Sequence, residues 1–575
     1  MEIPLENRPR NKEVFSMKDF HKSVVYQIYP KSFQDTTGSG TGDLQGVIRR
    51  LDYLRDLGVD YLWLTPFFVS PQNDNGYDVA DYRSIDPRYG TMQDFEELAA
   101  AAKERGLGLM LDMVFNHTST EHEWFQKALA GDMEYRDYYI HRPGKSDGSA
   151  PTNWVSKFGG NAWEYVPAWG EYYLHLFDRT QADLNWENPK VRAELADVLR
   201  FWISKGVSGF RFDVVNLISK PDTFEDDFEG DGRRFYTDGP RVHQYLQQLC
   251  REAGLNENGM VTVGEMSSTT LDNCVRYSNP DEGELSMCFS FHHLKVDYPN
   301  QNKWALPGEG FSPLPGLRKV LNTWQTGMEQ GGGWNALFWC NHDQPRVVSR
   351  FGDDKQEYRA LSAKMLATLI HMMRGTPYVY QGEEIGMTNA GYTDISQYQD
   401  VESLNYFRIL KEAGIPEEQV YEILRQRSRD NSRTPMQWDD SENAGFTTGT
   451  PWLAINQNYQ DINARKDCAS PDSIFAYYQK LIALRKEWDV ISEGSYIPLL
   501  EEHPAVFAYR REYQGTLLTV LCNFTSENTS ISENILPQNS RLLLGNYPSF
   551  SAAAPLALRP YEALVFVQSV AEKCS

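Results

Sequence analysis

Short apolar runs alternate with longer amphipathic segments along most of this chain. This alternation limits the folds that are compatible with the sequence. In the first amphipathic segment, apolar residues from Leu44 to Leu54 recur at the spacing of one helix face. The short runs are apolar on both faces, which is typical of parallel strands covered by helices. Eight strands are predicted: Val24–Tyr29, Tyr61–Thr65, Leu107–Phe115, Gly209–Val215, Met260–Gly264, Leu285–Phe291, Ala336–Cys340 and Tyr378–Tyr380. Eight strand-then-helix units indicate the α/β class and favour a closed (β/α)8 barrel, the TIM barrel, over an open doubly wound sheet.

Two long segments interrupt the alternation. Residues 118–187, after the third strand, are rich in Gly, Trp and Tyr and too long for an ordinary loop, so we predict an inserted subdomain. Residues 385–456 form a second excursion after the eighth strand. Beyond residue 488, short alternating segments between turn residues predict a C-terminal antiparallel β domain. The predicted domains are a catalytic barrel of residues 1–117 plus 188–488, the inserted subdomain 118–187 and the β domain 489–575.

The charge of the chain limits its partners. Its 575 residues include 56 Lys and Arg against 79 Asp and Glu, a formal charge of −23. This surplus repels nucleic acid and acidic membrane surfaces, so neither is expected as a partner. A hydrophobic content of 41% supports large packed cores and excludes a disordered chain. An anionic substrate would need a local patch of Lys, Arg or His.

The termini and cysteines indicate a cytoplasmic protein. The first twenty residues are charged throughout and have no apolar core, so we expect no secretory signal, and no run approaches the 18 apolar residues of a membrane span. The cysteines lack CxxC spacing and are expected to be reduced thiols, not disulfides or zinc ligands. We also expect a monomer or a weak oligomer. The seven cysteines are Cys250, Cys274, Cys288, Cys340, Cys468, Cys522 and Cys574.

Polar residues stand where several predicted strands end. The fourth strand ends in Arg211-Phe-Asp213, the fifth in Glu265, and the seventh leads into Asn341-His342-Asp343. The carboxyl ends of barrel strands open into one mouth, where catalysis takes place in this fold. One such acid is more often a helix cap or a surface residue, but three at corresponding strand ends predict a shared site.

The neighbours of these acids suggest separate roles. Arg211 and Asp213 are two residues apart on a strand, so both side chains point to one face and the guanidinium keeps Asp213 an anion. Glu265 has no basic neighbour in its own strand end and is the candidate proton donor. A carboxylate nucleophile beside a carboxylic acid is the chemistry of retaining glycoside hydrolysis. Aromatic residues suited to stacking on sugar rings, although each is equally typical of a core, are Tyr77, Phe158, Trp163 and Trp186.

At these residues the sequence resembles the alpha-amylase clan of retaining glycoside hydrolases, in its oligo-1,6-glucosidase-like branch. Four motifs carry the resemblance: residues 112–117 (DMVFNH), 209–216 (GFRFDVVN), 263–265 (VGE) and 341–343 (NHD). The resemblance implies that Asp213 is the nucleophile, Glu265 the general acid/base and Asp343 the stabiliser of the transition state. It also implies a set of residues that hold the glucosyl unit: Tyr77, Asp78, His117, Arg211, His342 and Arg429.

Further stretches resemble a phosphate-specific group of this branch, whose members hydrolyse trehalose 6-phosphate to glucose and glucose 6-phosphate. These stretches are residues 26–43, 230–240 and 291–298. Where related glucosidases carry acids, this chain has His292 and Lys295, and Lys303 follows. Such bases suit a phosphate dianion, so we predict that these three residues bind it. The lysines are also consistent with a solvated surface.

Two other functions remain open at this point. One is an oligo-1,6-glucosidase or a related alpha-glucosidase acting on neutral disaccharides. The other is a non-catalytic partner of a membrane transporter, which the complete set of three acids and the absence of an apolar span disfavour. No organic cofactor is implied. The resemblance suggests a calcium loop at Asp35, Thr37 and Asp43, but two carboxylates predict at most a weak structural Ca²⁺ site.

Overall fold

A computed structural model describes residues 19–550 and 556–569 of the chain. The charged N-terminal stretch that bears on secretion falls almost entirely outside these residues. The predicted thiol at Cys574 and the outer ends of the first and last predicted domains also lie outside them. All statements about structure below refer to the described residues.

Eight parallel strands close into a barrel, with each strand beside its sequence neighbour and the last paired with the first. The strands are β1 Val25–Ile28, β2 Tyr61–Leu64, β3 Gly108–Met113, β4 Gly209–Phe212, β5 Val261–Met266, β6 Met287–Ser290, β7 Asn335–Leu337 and β8 Thr376–Tyr380. Their residues are almost completely buried, because strands face side chains inside the barrel and helices outside it. The predicted barrel is confirmed, and each strand lies at or within a few residues of its predicted position.

A main helix follows each barrel strand. These helices are Leu44–Arg49 continued by Leu51–Leu57, then Met92–Glu104, Pro189–Ser204, Val242–Ala253, Leu271–Ser278, Leu314–Gly331, Arg359–His371 and Ile474–Glu487. The first predicted helix is two helices, because Arg50, with φ −105° and ψ 4°, leaves the helical conformation. A Thr91–Asp94 capping box starts the second main helix by satisfying its free N–H groups.

Shorter elements lie in the two excursions and in other connections along the chain. Between β3 and its main helix, strand Gln181–Asp183 pairs with His117–Ser119, and a three-stranded sheet contains His141–Arg142, Trp163–Val166 and Glu171–Leu174. Strands Phe68–Val69 and Asp81–Ile85 form another pair. The remaining α-helices are Glu123–Leu129, Met133–Arg136, Arg233–Tyr236, Val347–Arg350, Val401–Glu412, Glu417–Arg427, Asp430–Arg433, Ala464–Cys468 and Asp489–Ser492. Our domain boundaries at 117/118, 187/188 and 488/489 stay predictions.

The C-terminal part is an antiparallel β domain, as predicted. One sheet has the order Ser495–Leu499, Val506–Tyr513, Thr516–Asn523, Ala563–Ser569 and Arg541–Gly545, and Thr529–Ile531 pairs with Leu556–Leu558. Gln514 and Gly515 form a two-residue turn with φ values of 45° and 78°, the left-handed geometry that tight hairpins need. Tyr509 donates a 2.6 Å hydrogen bond to the Leu369 carbonyl of a barrel helix, so the sheet is anchored to the barrel. No helix in the described ranges is long and apolar enough to cross a membrane.

Candidate active site

The strand register places the predicted nucleophile and acid side by side. Arg211 on β4 is paired with Val263 on β5, so Asp213, two residues on, is level with Glu265. The side chains of Asp213 and Glu265 point to the same face of the sheet as those of Arg211 and Val263, which lie two residues earlier. Asp343 follows β7 and reaches the same opening. The three predicted carboxylates therefore meet at the carboxyl ends of the barrel strands.

The buried Arg211 side chain contacts three acids of the site, Asp112, Asp213 and Glu265. Its Nη1 atom donates 2.7 Å hydrogen bonds to Asp213 Oδ1 and Asp112 Oδ1, and its Nη2 donates to Glu265 Oε2. Glu265 has no basic neighbour in its own strand end, as its sequence shows, but β4 supplies Arg211 from the adjacent strand. The buried guanidinium is thus shared by the predicted nucleophile and the predicted acid/base. Burial raises the pKa of Asp112 to about 7, although the charge of Arg211 opposes this rise.

The residue after Asp213, the predicted nucleophile, has a strained backbone. Val214 adopts φ 36° and ψ 38°, the left-handed region that a β-branched residue rarely occupies. Its side chain is buried and lines the cavity beside Asp213. Such conformations persist where the surroundings hold them and are concentrated at functional sites. β4 ends at Phe212, and Asp213, directly before Val214, lines the opening.

Two arginines hold Asp343 as an anion. Arg433 Nη2 donates to its Oδ1 at 2.7 Å, and Arg429 Nη1 does so at 3.3 Å. Desolvation opposes ionisation, but these guanidinium groups lower the pKa of the Asp343 carboxyl far below its usual range. His342 is completely buried 3.4 Å from the same carboxylate, and burial lowers its pKa to about 3. His342 therefore stays neutral, and it lies beside Asp343 without lining the cavity.

One cavity of about 260 Å³ joins these groups. The predicted residues that line it are Tyr77, His117, Phe158, Asp213, Glu265, Lys295, Lys303, Asp343 and Arg429. Lining residues that we did not predict include Asp74, Lys157, Gln181, Ser267, Ser268 and Glu402. Arg211 and His342 lie just beneath the surface of the cavity. Trp163 and Trp186 are buried in hydrophobic clusters and do not line it.

Asp74, not Asp78, presents its carboxylate to the cavity. Asp78 is completely buried and accepts hydrogen bonds from Ser70 Oγ at 2.9 Å and from the backbone N–H groups of Asn73 and Asp74. Its oxygens are used to hold the loop and cannot bind a sugar, so the prediction for Asp78 is wrong. Asp74 instead forms an ion pair with Arg429, at 3.3 Å. Burial raises the pKa of Asp74 to about 7.

The other predicted glucosyl contacts surround this pair. Tyr77 stacks on His342, with ring centroids 5.1 Å apart, and donates its hydroxyl to Asp112 at 3.0 Å. The His117 ring lies 3.1 Å from the Tyr77 carbonyl, and burial lowers its pKa. The Arg429 guanidinium lies 5.0 Å from the centre of the Phe158 ring. These groups form a compact polar floor with one aromatic wall.

The basic residues divide into three environments. Lys295 faces the cavity, and its Nζ atom donates to Ser268 Oγ at 3.4 Å. Lys303 also lines the cavity, but it forms a 2.5 Å ion pair with Glu402. His292 does not line it: the ring stacks on Trp324, with centroids 4.3 Å apart, and burial lowers its pKa to about 4. The structure therefore does not support His292 as a phosphate ligand.

In the loop predicted to bind calcium, the carboxylates already accept hydrogen bonds from nearby backbone N–H groups. Asp35 accepts hydrogen bonds from the N–H groups of Thr37, Gly38 and Gly40, and Asp43 accepts from Thr36 and Gly46. Because N–H donors already occupy these oxygens, Asp35, Thr37 and Asp43 do not fit a Ca²⁺ site. No cluster of three or more His, Cys, Asp or Glu in the described ranges fits a metal ion either.

Some of the site residues that we did not predict could have been recognised from the sequence pattern, and others could not. Asp74 stands three residues before Tyr77, so the polar run around it could have been considered as a whole. Arg433 follows Arg429 by one helical turn and could have been expected on the same face. Lys157 and Glu402 had no signal, since each belongs to an excursion whose position relative to the barrel cannot be deduced from spacing.

The chain belongs to the alpha-amylase family. A family model described as alpha amylase, catalytic domain, matches residues 27–494, which contain all three carboxylates. The fold, the strand-end acids and this match define a glycoside hydrolase.

Individual relatives match over nearly the whole chain. The trehalose-6-phosphate hydrolase of Bacillus subtilis (strain 168) is 56% identical over 550 residues, covering 95% of this chain and 97% of that protein. The crystal structure of Bacillus licheniformis trehalose-6-phosphate hydrolase has a TM-score of 0.91 and 54% identity, covering 95% and 99%. An oligo-1,6-glucosidase of Halalkalibacterium halodurans is 48% identical over 558 residues, covering 95% and 98%.

Proposed function

We propose that the protein hydrolyses trehalose 6-phosphate to glucose and glucose 6-phosphate, with retention at the anomeric carbon. The observation that carries this proposal is a single cavity with catalytic carboxylates on its floor and lysines on its walls. In a chain of charge −23, a local excess of cations beside a sugar site favours an anionic sugar. The names and high identities of the relatives support the same substrate.

In the first chemical step, Asp213 attacks the unphosphorylated glucosyl unit. Its carboxylate oxygen forms a bond to the anomeric carbon as the bond from that carbon to the bridging oxygen breaks. Glu265 transfers its proton to the bridging oxygen, so glucose 6-phosphate leaves as a neutral alcohol at that position. Arg211 contacts both acids and is placed to compensate the charge as the proton leaves Glu265.

In the second step, water releases the glucose. The Glu265 carboxylate takes a proton from water, whose oxygen bonds to the anomeric carbon while the bond to Asp213 breaks. Two displacements at one carbon give net retention. The Asp343 anion lies beside the same opening and stabilises the positive charge that develops on the sugar ring in both steps. The two steps need no organic cofactor, because the acids supply both nucleophile and proton.

Asp74 and Arg429 are placed to bind the glucosyl hydroxyls. Their ion pair offers acceptors and donors on the cavity floor beside His117 and Phe158. Paired charges of this kind bind hydroxyl groups without leaving either partner uncompensated. The phosphate then lies toward the lysines, on the other side of the scissile bond.

A neutral disaccharide is the second candidate substrate, supported by the 48% identity to an oligo-1,6-glucosidase. Purified protein tested on trehalose 6-phosphate, trehalose, isomaltose and an uncharged aryl glucoside separates the two. We expect kcat/KM for trehalose 6-phosphate to exceed that for trehalose and isomaltose by at least about 100-fold, the value of one or two charge-assisted hydrogen bonds. Equal rates on isomaltose would overturn the proposed substrate.

We further propose that the enzyme acts in the cytoplasm as a monomer or weak oligomer, without a nucleic-acid or membrane partner. The six cysteines that the structure describes are all free, and five of them are buried, as is common where thiols stay reduced. The net charge of −23 opposes self-association and binding to other polyanions. Light scattering after gel filtration tests the oligomeric state, and a stable tetramer would contradict it.

A further inference from the structure

A glutamine inside the barrel contacts the histidine that lies beside Asp343. Gln27 is almost completely buried on β1, where it is paired with Trp63 on one neighbouring strand and with Tyr380 on the other. Its Nε2 atom lies 2.8 Å from His342 Nδ1. Gln27 is not among the described residues that line the cavity. It can therefore act on the sugar only through other side chains.

Two aromatic rings hold the His342 imidazole in one orientation. The imidazole is stacked on Tyr77 with an interplanar angle of 4°, and it is stacked on Tyr29 with ring centroids 6.1 Å apart. These contacts fix the plane of the imidazole. One ring nitrogen, Nδ1, is thereby kept toward Gln27, and the other, Nε2, faces Asp343 Oδ2 at 3.4 Å.

The imidazole carries a single proton. Burial lowers the pKa of His342 to about 3, although the charge of Asp343 opposes this change. The guanidinium groups that lower it further are those of Arg211, Arg429 and Arg433. A neutral imidazole has one N–H donor and one acceptor nitrogen, and the neighbours of the ring decide which nitrogen is which. The groups at the two nitrogens, Gln27 and Asp343, therefore determine the tautomer of His342.

Both neighbours favour the same tautomer. The hydrogen bonds that Arg429 and Arg433 donate to Asp343 end on Oδ1, so Oδ2 is the oxygen that faces His342. A proton on Nε2 directs a positive N–H toward this oxygen, whereas a proton on Nδ1 would direct a lone pair toward it. The Gln27 amide supports the first arrangement, because its N–H group donates to the unprotonated Nδ1.

We propose that Gln27 is a positioning residue, which keeps the proton of His342 on Nε2 and so directs that N–H toward the Asp343 carboxylate. The N–H attracts Oδ2 and holds Asp343 in place while positive charge develops on the sugar ring. Glutamine suits this role because its amide is a donor that stays uncharged, whereas a carboxylate would accept a hydrogen bond from the ring. The inference rests on the proposed glycoside hydrolysis, but it does not depend on the phosphate of the substrate.

The variant Q27E reverses the hydrogen-bonding character of residue 27 at nearly unchanged size. The introduced carboxyl group and the imidazole then titrate as a pair. While the pair holds its additional proton, Nε2 keeps its hydrogen, whether the additional proton is on the carboxyl group or on Nδ1. Once that proton is lost, the carboxylate accepts from Nδ1–H, and the lone pair of Nε2 faces Asp343. The activity of Q27E should therefore be lost as the pH rises.

The test measures kcat/KM of Q27E divided by that of the wild type, from about pH 5 to about pH 8. We expect this ratio to fall at least about tenfold across the range, mainly through kcat, and by the same factor for trehalose 6-phosphate and an uncharged aryl glucoside. The matched control is Q27M, which has no titratable group at this position, so its ratio should be low at every pH. The charged and titratable groups that face the imidazole, which both proteins share, are Tyr29, Tyr77, Arg211, Asp343, Arg429 and Arg433.

Nitrogen NMR of the wild type, labelled with ¹⁵N-histidine, measures the tautomer directly. The signals of His342 are those that disappear in H342N, and we expect its proton on Nε2 at neutral pH. This measurement decides the matter even if Q27E does not fold.

Three results would overturn the inference: a proton on Nδ1 in the wild type, a Q27E ratio that does not change with pH, and a Q27M ratio near one. A wild-type enzyme that hydrolyses no glucoside would refute the proposed function itself, whereas an active enzyme with the His342 proton on Nδ1 would refute only this inference.

Discussion

Lys303 Nζ lies 2.5 Å from Glu402 Oε2, so a lysine that faces the substrate cavity is neutralised by an acid that faces it too. The pair joins the segment after β6 to helix Val401–Glu412 of the second excursion. Glu402 Oε2 also lies 3.6 Å from Arg429 Nε, which connects the pair to the glucosyl end of the cavity. A negative charge is thereby kept close to the place where an anionic substrate binds.

Replacing that acid should improve binding of the phosphorylated substrate. In E402Q the cavity loses one negative charge and Lys303 becomes free, so we expect KM for trehalose 6-phosphate to fall roughly three- to tenfold, equivalent to about 1 kcal/mol. Steady-state kinetics at low and high salt measure the effect, which should shrink as salt increases. An unchanged KM at low salt would show that the pair does not influence the phosphate.

Asp213→Asn should abolish turnover, because an amide cannot form the covalent bond to the sugar. We expect kcat to fall by at least about 1,000-fold on phosphorylated and uncharged substrates alike. The far-UV circular dichroism spectrum should be unchanged. In D213A, added formate should restore part of the activity by occupying the vacated space as an external carboxylate. Substantial activity of D213N without any additive would refute the assigned nucleophile.

Replacing Asp74 by its amide should impair substrate binding, whereas the same replacement of Asp78 should impair stability. D74N should lower kcat/KM for charged and uncharged glucosides by a similar factor, about 10- to 100-fold, since it weakens binding of the shared glucosyl unit. D78N should lower the apparent free energy of unfolding by about 1–3 kcal/mol, because its carboxylate holds three donors of the loop. Urea unfolding and kinetics of both variants decide the matter. Stable but inactive D78N beside fully active D74N would reverse the assignment.

Inhibition by glucose 6-phosphate should depend on pH through Lys157. The charged and titratable groups around its ammonium are Asp183, Asp231, Arg233, Tyr236 and Lys295. With a pKa of about 8 in the free enzyme, Lys157 is protonated below pH 8 and binds the anion; above it the proton is lost and binding weakens. The inhibition constant should therefore rise about twofold between pH 7 and pH 8 and roughly tenfold between pH 7 and pH 9.

The arginine variant is the control for this profile. In K157R the guanidinium stays charged, so the part of the rise that begins near pH 8 should disappear. Inhibition by glucose, which has no phosphate, should not show the rise in either protein. A flat profile for glucose 6-phosphate in the wild type would show that the charge of Lys157 does not contribute to binding of the anion.

Removing divalent cations should not destabilise the protein. Asp35 and Asp43 already accept hydrogen bonds from their own loop, so a chelator should shift Tm by less than about 1 °C, and added Ca²⁺ should not raise it. Differential scanning calorimetry with chelator or with millimolar Ca²⁺ measures this. A Ca²⁺-dependent rise in Tm that is lost in D35N would show that the loop rearranges to bind the ion.

The sequence was sufficient to predict the barrel and to locate the three acids at its mouth. Strand and helix periodicities are local properties, and eight units of that pattern have few alternative packings. Asp213, Glu265 and Asp343 could be placed in one mouth because each lies near or shortly after the carboxyl end of a strand, and their roles followed from the resemblance to the alpha-amylase clan. The C-terminal β domain was predictable for the same reason, since its alternation and turns lie within short windows.

Only the tertiary structure decided which side chains contact each other across elements. Arg211 and Glu265 are 54 residues apart, Lys303 and Glu402 are 99 apart, and Lys157 and Ser267 are 110 apart. Such contacts depend on strand register and on how long excursions fold over the barrel, which spacing does not encode. Asp74 and Asp78 show the same limit at short range: both are acids of one loop, and only the direction of each carboxylate separates a sugar ligand from a loop anchor. The sequence by itself thus determined the chemistry of the barrel mouth, whereas the charge balance around the phosphate was decided by packing.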